Sequence, residues 1–129
     1  MKPGEKKYPH IFSPYKIGKV ELKNRIKYGS TETNFNYGDG FVSDKEVAYM
    51  EAQARGGAGI VTTQGAFTDP RGEGKGYVGM MGIWNDDFIP GLKRITKAIH
   101  DHDSVAILQL MHCGRVAVSS STTPWGPRW

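Results

Sequence analysis

The sequence predicts an α/β fold in which a small antiparallel hairpin precedes parallel strands joined by helices. Three observations support this class: strand-like and helix-like segments alternate, the links between them are short, and glycines and prolines lie between the segments. Glycine, with 17 of 129 residues, is nearly twice as frequent as the average of about 7%. Such alternation favours right-handed βαβ units in a parallel sheet. The pattern alone leaves a doubly wound sheet and an (β/α)₈ barrel equally open.

The N-terminal third predicts a hairpin, a short strand and a loop. Residues 12–22 fit a hairpin, because apolar residues flank a Gly18-Lys19 tight turn. Residues 25–29 follow as a short, weakly apolar strand candidate. Residues 34–40, with the sequence NFNYGDG, have the composition of a loop.

Ser43 predicts the start of a helix over residues 44–55. Glu46 follows three residues later, which is the capping-box spacing, with the glutamate reaching back to the cap. The Gly56-Gly57 pair predicts the end of the helix. One face recurs at helical spacing and consists of Val47, Met50 and Ala54.

Two further strands and one helix complete the predicted order. Residues 59–63 are β-branched and bounded by glycine, and they predict a buried strand. A Gly-rich connection is expected from Gly65 to about Trp84, after which Asn85 or Asp86 caps a second helix. Residues 105–110 predict a third buried strand. The apolar stripe of the second helix is expected to be Ile89, Leu92, Ile95 and Ile99.

Composition excludes several functional classes. The 129 residues suit one compact domain, about half of the roughly 250 residues of a complete (β/α)₈ barrel. The net charge of +4 is scattered, which argues against a nucleic-acid interface. A single cysteine excludes an internal disulfide or a cysteine-rich metal site. Neither a membrane span nor a secretory signal is evident, so we expect a cytoplasmic protein. We also expect no metal site.

In either fold the ligand is expected at the carboxyl ends of the strands. Those ends are residues 29–31, 64–66 and 109–112, which carry small or amide residues. Small residues let a flat ring approach the backbone, and amides pair with the donors and acceptors of a heterocycle. The sequence therefore predicts a planar polar cofactor across the three strand ends.

The glycine motif, the single cysteine and three of the histidines are considered next. Gly74, Gly76 and Gly79 spell G-x-G-x-x-G, but no helical run follows, so we expect a loop over the strand ends and no dinucleotide fingerprint. Cys113 has no base nearby in sequence and is not predicted to be a nucleophile. His112 is interpreted either as a packed side chain or as a residue that lines the site. His100 and His102, near a helix end, are not expected to share a metal.

Several short blocks of the sequence form a recognisable series. The blocks are FSPYKIG at 12–18, LKNRI at 22–26, DGFVSD at 39–44, ARGGAG at 54–59, GIW at 82–84, IPGL at 89–92 and QLMHCGR at 109–115. Together they resemble the old yellow enzyme family of flavin oxidoreductases, in the branch of 2,4-dienoyl-CoA reductases and enoate reductases. They occur in that family's order and cover most of residues 11–116.

The resemblance implies the N-terminal β-α-β-α-β part of an FMN-dependent (β/α)₈ barrel, preceded by a small hairpin. It divides the chain into a leader and hairpin at 1–23, β/α units at 24–116 and a polar tail at 117–129. The chemistry implied is hydride transfer from NAD(P)H through FMN to an activated alkene, or from an amine to FMN. The implied cofactor-binding residues are Gly29, Ser30, Thr31, Gly65 and Gln109, with His112 facing the substrate.

Two departures qualify the resemblance. Glu32 stands where the family usually has a small or neutral residue, and a buried carboxylate there would disfavour an anionic reduced flavin. Only three of the eight barrel strands are predicted, so catalytic residues cannot be assigned, and any iron–sulfur cluster would belong to a longer parent protein. We expect the rest of the barrel or another chain to complete the sheet, in an oligomer. The alternative is a non-enzymatic, truncated or split-gene assembly subunit.

Overall fold

The computed structural model describes residues 3–71 and 73–117 of the chain. Its N-terminus forms two short helices, α1 (Pro3–Lys7) and α2 (Pro9–Phe12). Two strands follow, β1 (Tyr15–Ile17) and β2 (Val20–Leu22). They are antiparallel, and Ile17 pairs with Val20 across a two-residue turn. The predicted hairpin and its turn are therefore confirmed.

A parallel sheet contains the other four strands. They are β3 (Lys27–Tyr28), β4 (Ile60–Phe67), β5 (Met81–Gly82) and β6 (Val105–Leu110). β6 pairs with β4 over residues 60–66, while β3 and β5 pair with the two opposite ends of β4. All pairings are parallel, so the predicted βαβ arrangement is confirmed. The central strand is buried at all eight positions.

Helix α3 (Asp44–Arg55) has the predicted bounds. The Ser43 hydroxyl accepts from the Glu46 backbone N–H at 3.1 Å, which stabilises the first turn. The expected return bond, from the Ser43 backbone N–H to the Glu46 side chain, is not formed. That N–H donates to Asn36 Oδ1 instead, so this half of the predicted capping box is wrong. After the helix Gly57 has φ 108°, a conformation that favours glycine.

Helix α4 (Ile89–His100) follows a 3₁₀ turn at Asp86–Phe88. Asn85 caps that turn by accepting from the Asp87 N–H. Helices α3 and α4 pack against each other and against the sheet. Ile89 does not belong to the buried stripe that the sequence predicts. It is 40% exposed, because it is the first residue of the helix. The core side chains shared by the helices and the sheet are Val42, Met50, Ala54, Ala58, Val61, Ala66, Met81, Ile95 and Ile99.

Strand β6 differs from the prediction of a third buried strand. None of its residues is fully buried, and Leu110 is 64% exposed. β4 covers one edge of this strand, and among the described residues no strand covers the other. The sequence prediction was wrong because burial depends on the neighbouring strand as much as on the apolar residues themselves.

The Gly-rich connection is also shorter than predicted. β4 continues through Gly65 to Phe67, and β5 appears at residues 81–82 within the expected loop. Trp84, at the end of the connection, packs against Phe67 and Phe88. Residue 72 and the tail beyond residue 117, including Trp125 and Trp129, lie outside the described residues. Among the described helices, none has the length and apolar character needed to cross a bilayer.

Candidate functional site

The carboxyl ends of β3, β4 and β6 lie at one edge of the parallel sheet. Gly65 and Gln109 are direct register partners, and the next pair is Ala66 with Leu110. The Met111 N–H donates to the Ala66 carbonyl at 2.9 Å, which keeps the two ends together beyond the strands. β3 ends earlier, where Tyr28 pairs with Val61, and the exposed residues 29–31 follow it. Thr33, two residues further on, accepts from Gln64 at the end of β4. We call these three ends the strand tips.

Two glycines at the strand tips have different surroundings. A Cβ on Gly29 would meet no atom within 4 Å, so the space beside this backbone is open. A Cβ on Gly65 would lie 2.6 Å from Met111 Sδ and 2.8 Å from Met111 Cβ. Open backbone for an approaching ring is thus present at Gly29, whereas Gly65 makes room for Met111.

Gln109 and His112 offer free hydrogen-bonding groups at the β6 end. The Gln109 side chain is exposed, and its amide has no hydrogen-bond partner among the described residues. His112 is also exposed, and its Nδ1 accepts from the Gly114 N–H at 3.0 Å. This bond assigns the ring proton of the neutral imidazole to Nε2. His112 therefore presents an N–H donor from Nε2.

Residues 73–80, here called the tip loop, lie against the strand tips. The Cys113 N–H donates to the Gly74 carbonyl at 2.9 Å. The Gly79 N–H donates to Asn34 Oδ1 at 2.6 Å. A Cβ on Gly74 would lie 2.6 Å from the His112 ring. The expectation of a loop is confirmed, because no helix follows the glycines before residue 86, as a dinucleotide fingerprint would require.

Beneath the tip loop runs a chain of four polar side chains, which the sequence analysis did not predict. The Tyr77 hydroxyl donates to Gln64 Oε1 at 2.6 Å. Gln64 Nε2 donates to Thr33 Oγ1 at 2.8 Å. The Thr33 hydroxyl donates to Glu46 Oε2. The chain thus connects the first turn of α3 to the loop above the tips, and no sequence-local signal joins its four members.

Burial raises the pKa of two groups in this chain. Desolvation raises the pKa of the Glu46 carboxyl, although hydrogen bonds with Thr33 and Gln64 lower the same pKa. Desolvation, followed by the charges of Glu32, Glu46 and Cys113, raises the pKa of the Tyr77 hydroxyl well above its usual range. Tyr77 is therefore a hydrogen-bond donor at neutral pH.

The other titratable residues near the strand tips have simpler roles. Glu32 is exposed, so the carboxylate does not carry the desolvation cost that a buried position would impose. Burial, then the charge of Glu32, raises the pKa of the Cys113 thiol. The thiol is accordingly protonated at neutral pH.

Within the described residues no group of three His, Cys, Asp or Glu side chains could hold a metal ion. His102 Nε2 lies 3.3 Å from Glu51 Oε1, and His100 ends α4 in an exposed position. A cavity of about 740 Å³ lies between the hairpin and Asp103. Because Asp103 precedes β6, this cavity is at the opposite end of the strands from the tips.

Comparison with known proteins identifies the family to which the chain belongs. Residues 10–125 match the sequence profile of the NADH:flavin oxidoreductase / NADH oxidase family. The chain belongs to this family. An NADPH dehydrogenase of Listeria monocytogenes is 35% identical over 113 residues, which are 84% of this chain and 32% of that protein. The chain therefore spans about one third of that relative.

Solved structures of this family share the fold. A 2-naphthoyl-CoA reductase in complex with 2-naphthoyl-CoA aligns with a TM-score of 0.82 and 42% identity, over 86% of this chain and 17% of that one. An old yellow enzyme homologue from Zymomonas mobilis aligns with a TM-score of 0.77 and 28% identity, over 87% of this chain and 30% of that one. The described sheet of this family member thus corresponds to one part of an (β/α)₈ barrel of the old yellow enzyme type.

Proposed function

We propose that this member of the NADH:flavin oxidoreductase family contributes the strand tips that bind FMN in an oxidoreductase. One observation carries the proposal. Three parallel strands, whose carboxyl ends the resemblance assigns to the flavin, point towards the same edge of the sheet. The backbone is open at Gly29, and the Gln109 amide has no hydrogen-bond partner among the described residues. Ligands of α/β sheets bind at such carboxyl edges.

The residues at the tips fit a flavin in chemical type. Gln109 can both donate to and accept from the pyrimidine edge of the ring. Gly29, Ser30 and Thr31 offer exposed backbone to it, and Gly65 lets Met111 pack beneath the tips. His112 would direct its Nε2 donor towards the substrate. When bound, FMN supplies the two-electron chemistry that passes hydride between a nicotinamide and a small-molecule substrate.

The substrate class that we propose is an activated alkene reduced at the expense of NAD(P)H, with amine oxidation as the variant. The NADPH dehydrogenase and the CoA-thioester reductase among the relatives support the reductive direction. We further propose that the reaction takes place in the cytoplasm. An iron–sulfur cluster, if the parent protein has one, would need ligands other than those described here, since Cys113 is the only cysteine of the chain.

Replacing Gln109 by leucine is expected to weaken FMN binding about tenfold, which corresponds to the loss of one or two hydrogen bonds worth about 1 kcal/mol each. Flavin fluorescence during titration of the protein into FMN measures the affinity. Gln53→Leu is the matched control, because Gln53 lies on α3, away from the strand tips, and this change should leave FMN affinity within about twofold of wild type. Equal affinities for both variants, or an unmodified protein that binds no FMN, would refute the proposal.

A second candidate function is a non-enzymatic assembly subunit, which one observation favours. The outer edge of β6 has no strand partner among the described residues, and Ile107 and Leu110 on this strand are 38% and 64% exposed. An open edge of this kind pairs readily with a further strand, supplied by the rest of a barrel or by another chain. Light scattering with an absorbance trace separates the candidates: a stable colourless oligomer supports assembly, and a yellow complex supports flavin binding.

A further inference from the structure

The four-residue chain beneath the tip loop has a single direction. Every hydroxyl or amide in it donates towards Glu46, in the order Tyr77 to Gln64, Gln64 to Thr33 and Thr33 to Glu46. A series of donors needs an acceptor at its end, and Glu46 Oε2 is that acceptor. The carboxyl oxygen therefore determines the orientation of every group before it.

Glu46 lies in a position where a carboxyl is costly. Its side chain is 0% exposed, and its second oxygen, Oε1, has no hydrogen-bond partner among the described residues. Leucine or methionine would fill the same position without this desolvation cost. The first turn of α3 is already capped by Ser43, so the carboxyl group is not needed to start the helix. Its contacts with Thr33 and Gln64 are the contribution that remains.

At the other end of the chain, Tyr77 belongs to the tip loop. Loop residues on either side of it contact the segments that follow β3 and β6. A Cβ on Gly76 would lie 2.5 Å from Cys113 Sγ, and the Gly79 N–H donates to Asn34. The Tyr77 hydroxyl is therefore a central anchor between two points at which the loop meets the residues after β3 and β6.

We propose that Glu46 is a positioning residue that holds the tip loop closed over the strand tips. It acts through Thr33 and Gln64 on the Tyr77 hydroxyl. The consequence for FMN rests on the proposed function, because a closed loop would shield the cofactor edge of the sheet. The effect on the loop itself does not depend on FMN.

Limited trypsin digestion of the full chain tests the closure directly. Lys75 is in the tip loop and is 1% exposed, whereas Arg71 just before the loop is exposed. Mass spectrometry gives the rate of cleavage after Lys75 relative to cleavage after Arg71. We expect Glu46→Leu to raise this ratio about tenfold, since it removes the terminal acceptor. Glu46→Gln keeps a carbonyl oxygen for Thr33 and should stay within about threefold of wild type.

A second variant separates positioning from simple loss of stability. Tyr77→Phe breaks the same chain at its other end and should raise the ratio by a similar factor. The double variant Glu46→Leu/Tyr77→Phe should show no more than the larger single effect, whereas independent structural defects would multiply. If circular dichroism shows that Glu46→Leu does not fold, Thr33→Val is used in its place. This substitution removes the middle of the hydrogen-bonded chain, and it is compared with Tyr77→Phe in the same way.

FMN titration of these variants distinguishes failure of this proposal from failure of the proposed function. Weaker FMN binding by Glu46→Leu than by Glu46→Gln supports both the positioning role of Glu46 and the proposed flavin site. A wild-type protein that binds no FMN refutes the proposed function, while the digestion ratio still decides the role of Glu46. Equal ratios for Glu46→Leu and Glu46→Gln, or multiplied effects in the double variant, overturn the positioning role.

Discussion

Replacing Ile99 by alanine is expected to lower the free energy of unfolding by about 2–5 kcal/mol. Ile99 lies on α4, is 0% exposed and belongs to the core cluster with Met50 and Val61. The truncation removes apolar contacts and leaves a cavity between the helices and β4. Urea unfolding followed by circular dichroism measures the loss.

Ile89→Ala is the matched control for this substitution. Ile89 has the same chemistry and lies on the same helix, but it is 40% exposed. Its truncation is expected to cost less than about 1 kcal/mol. Equal losses at the two positions would contradict the orientation of α4 against the sheet.

Replacing Gly79 by alanine is expected to cost about 3 kcal/mol of folding free energy through overpacking. The new Cβ would lie 2.5 Å from the Asn34 carbonyl carbon and 2.6 Å from its oxygen. These are backbone atoms, so relief requires the tip loop to separate from the segment after β3. The separation would also break the 2.6 Å bond between the Gly79 N–H and Asn34 Oδ1. Urea unfolding measures the cost.

Gly38→Ala is the control, because it adds the same methyl group in a neighbouring loop. Its Cβ would meet Val78 at 3.7 Å, an ordinary contact, and Gly38 has no positive φ angle. We expect its effect on the free energy of unfolding to be within about 1 kcal/mol of zero. A Gly79→Ala protein as stable as Gly38→Ala would show that the tip loop does not lie against Asn34.

The elements predicted well from sequence are those whose signals are local. The bounds of α3 follow from the Ser43 cap and the Gly56-Gly57 pair, and the hairpin turn follows from Gly18-Lys19. Each signal acts within a few residues of the backbone that it determines. The parallel order of the sheet then follows from the alternation of these elements.

The strands whose character depends on distant partners were predicted poorly. β5 has only Met81 and Gly82, and it exists because Ala66 and Phe67 pair with it. The apolar sequence of β6 predicts burial. None of its residues is fully buried, however, because among the described residues a strand covers only one of its two edges, and no local sequence pattern indicates this. Ile89 likewise fits a helical stripe and is nevertheless exposed.

The edge at which we propose the flavin site was predictable, whereas the polar network beside it was not. Parallel strands place their carboxyl ends together, so residues 29–31, 65 and 109–112 could be assigned to one edge. Glu46 instead fits the local pattern of a capping box, yet it turns inward to Thr33, 13 residues away. Tyr77 meets Gln64 only because the tip loop folds back over the sheet. Such contacts arise from tertiary packing and leave no periodic signal.

Amide chemical-shift mapping with FMN tests the central claim most directly. Addition of FMN to ¹⁵N-labelled protein should produce its largest shift changes at residues 29–31, 65 and 109–112. The turn at Gly18-Lys19 and residue Asp103, beside the cavity at the opposite end of the strands, should not change. Changes concentrated around that cavity, or no changes at the strand tips, would contradict the placement of a flavin site at this edge of the sheet.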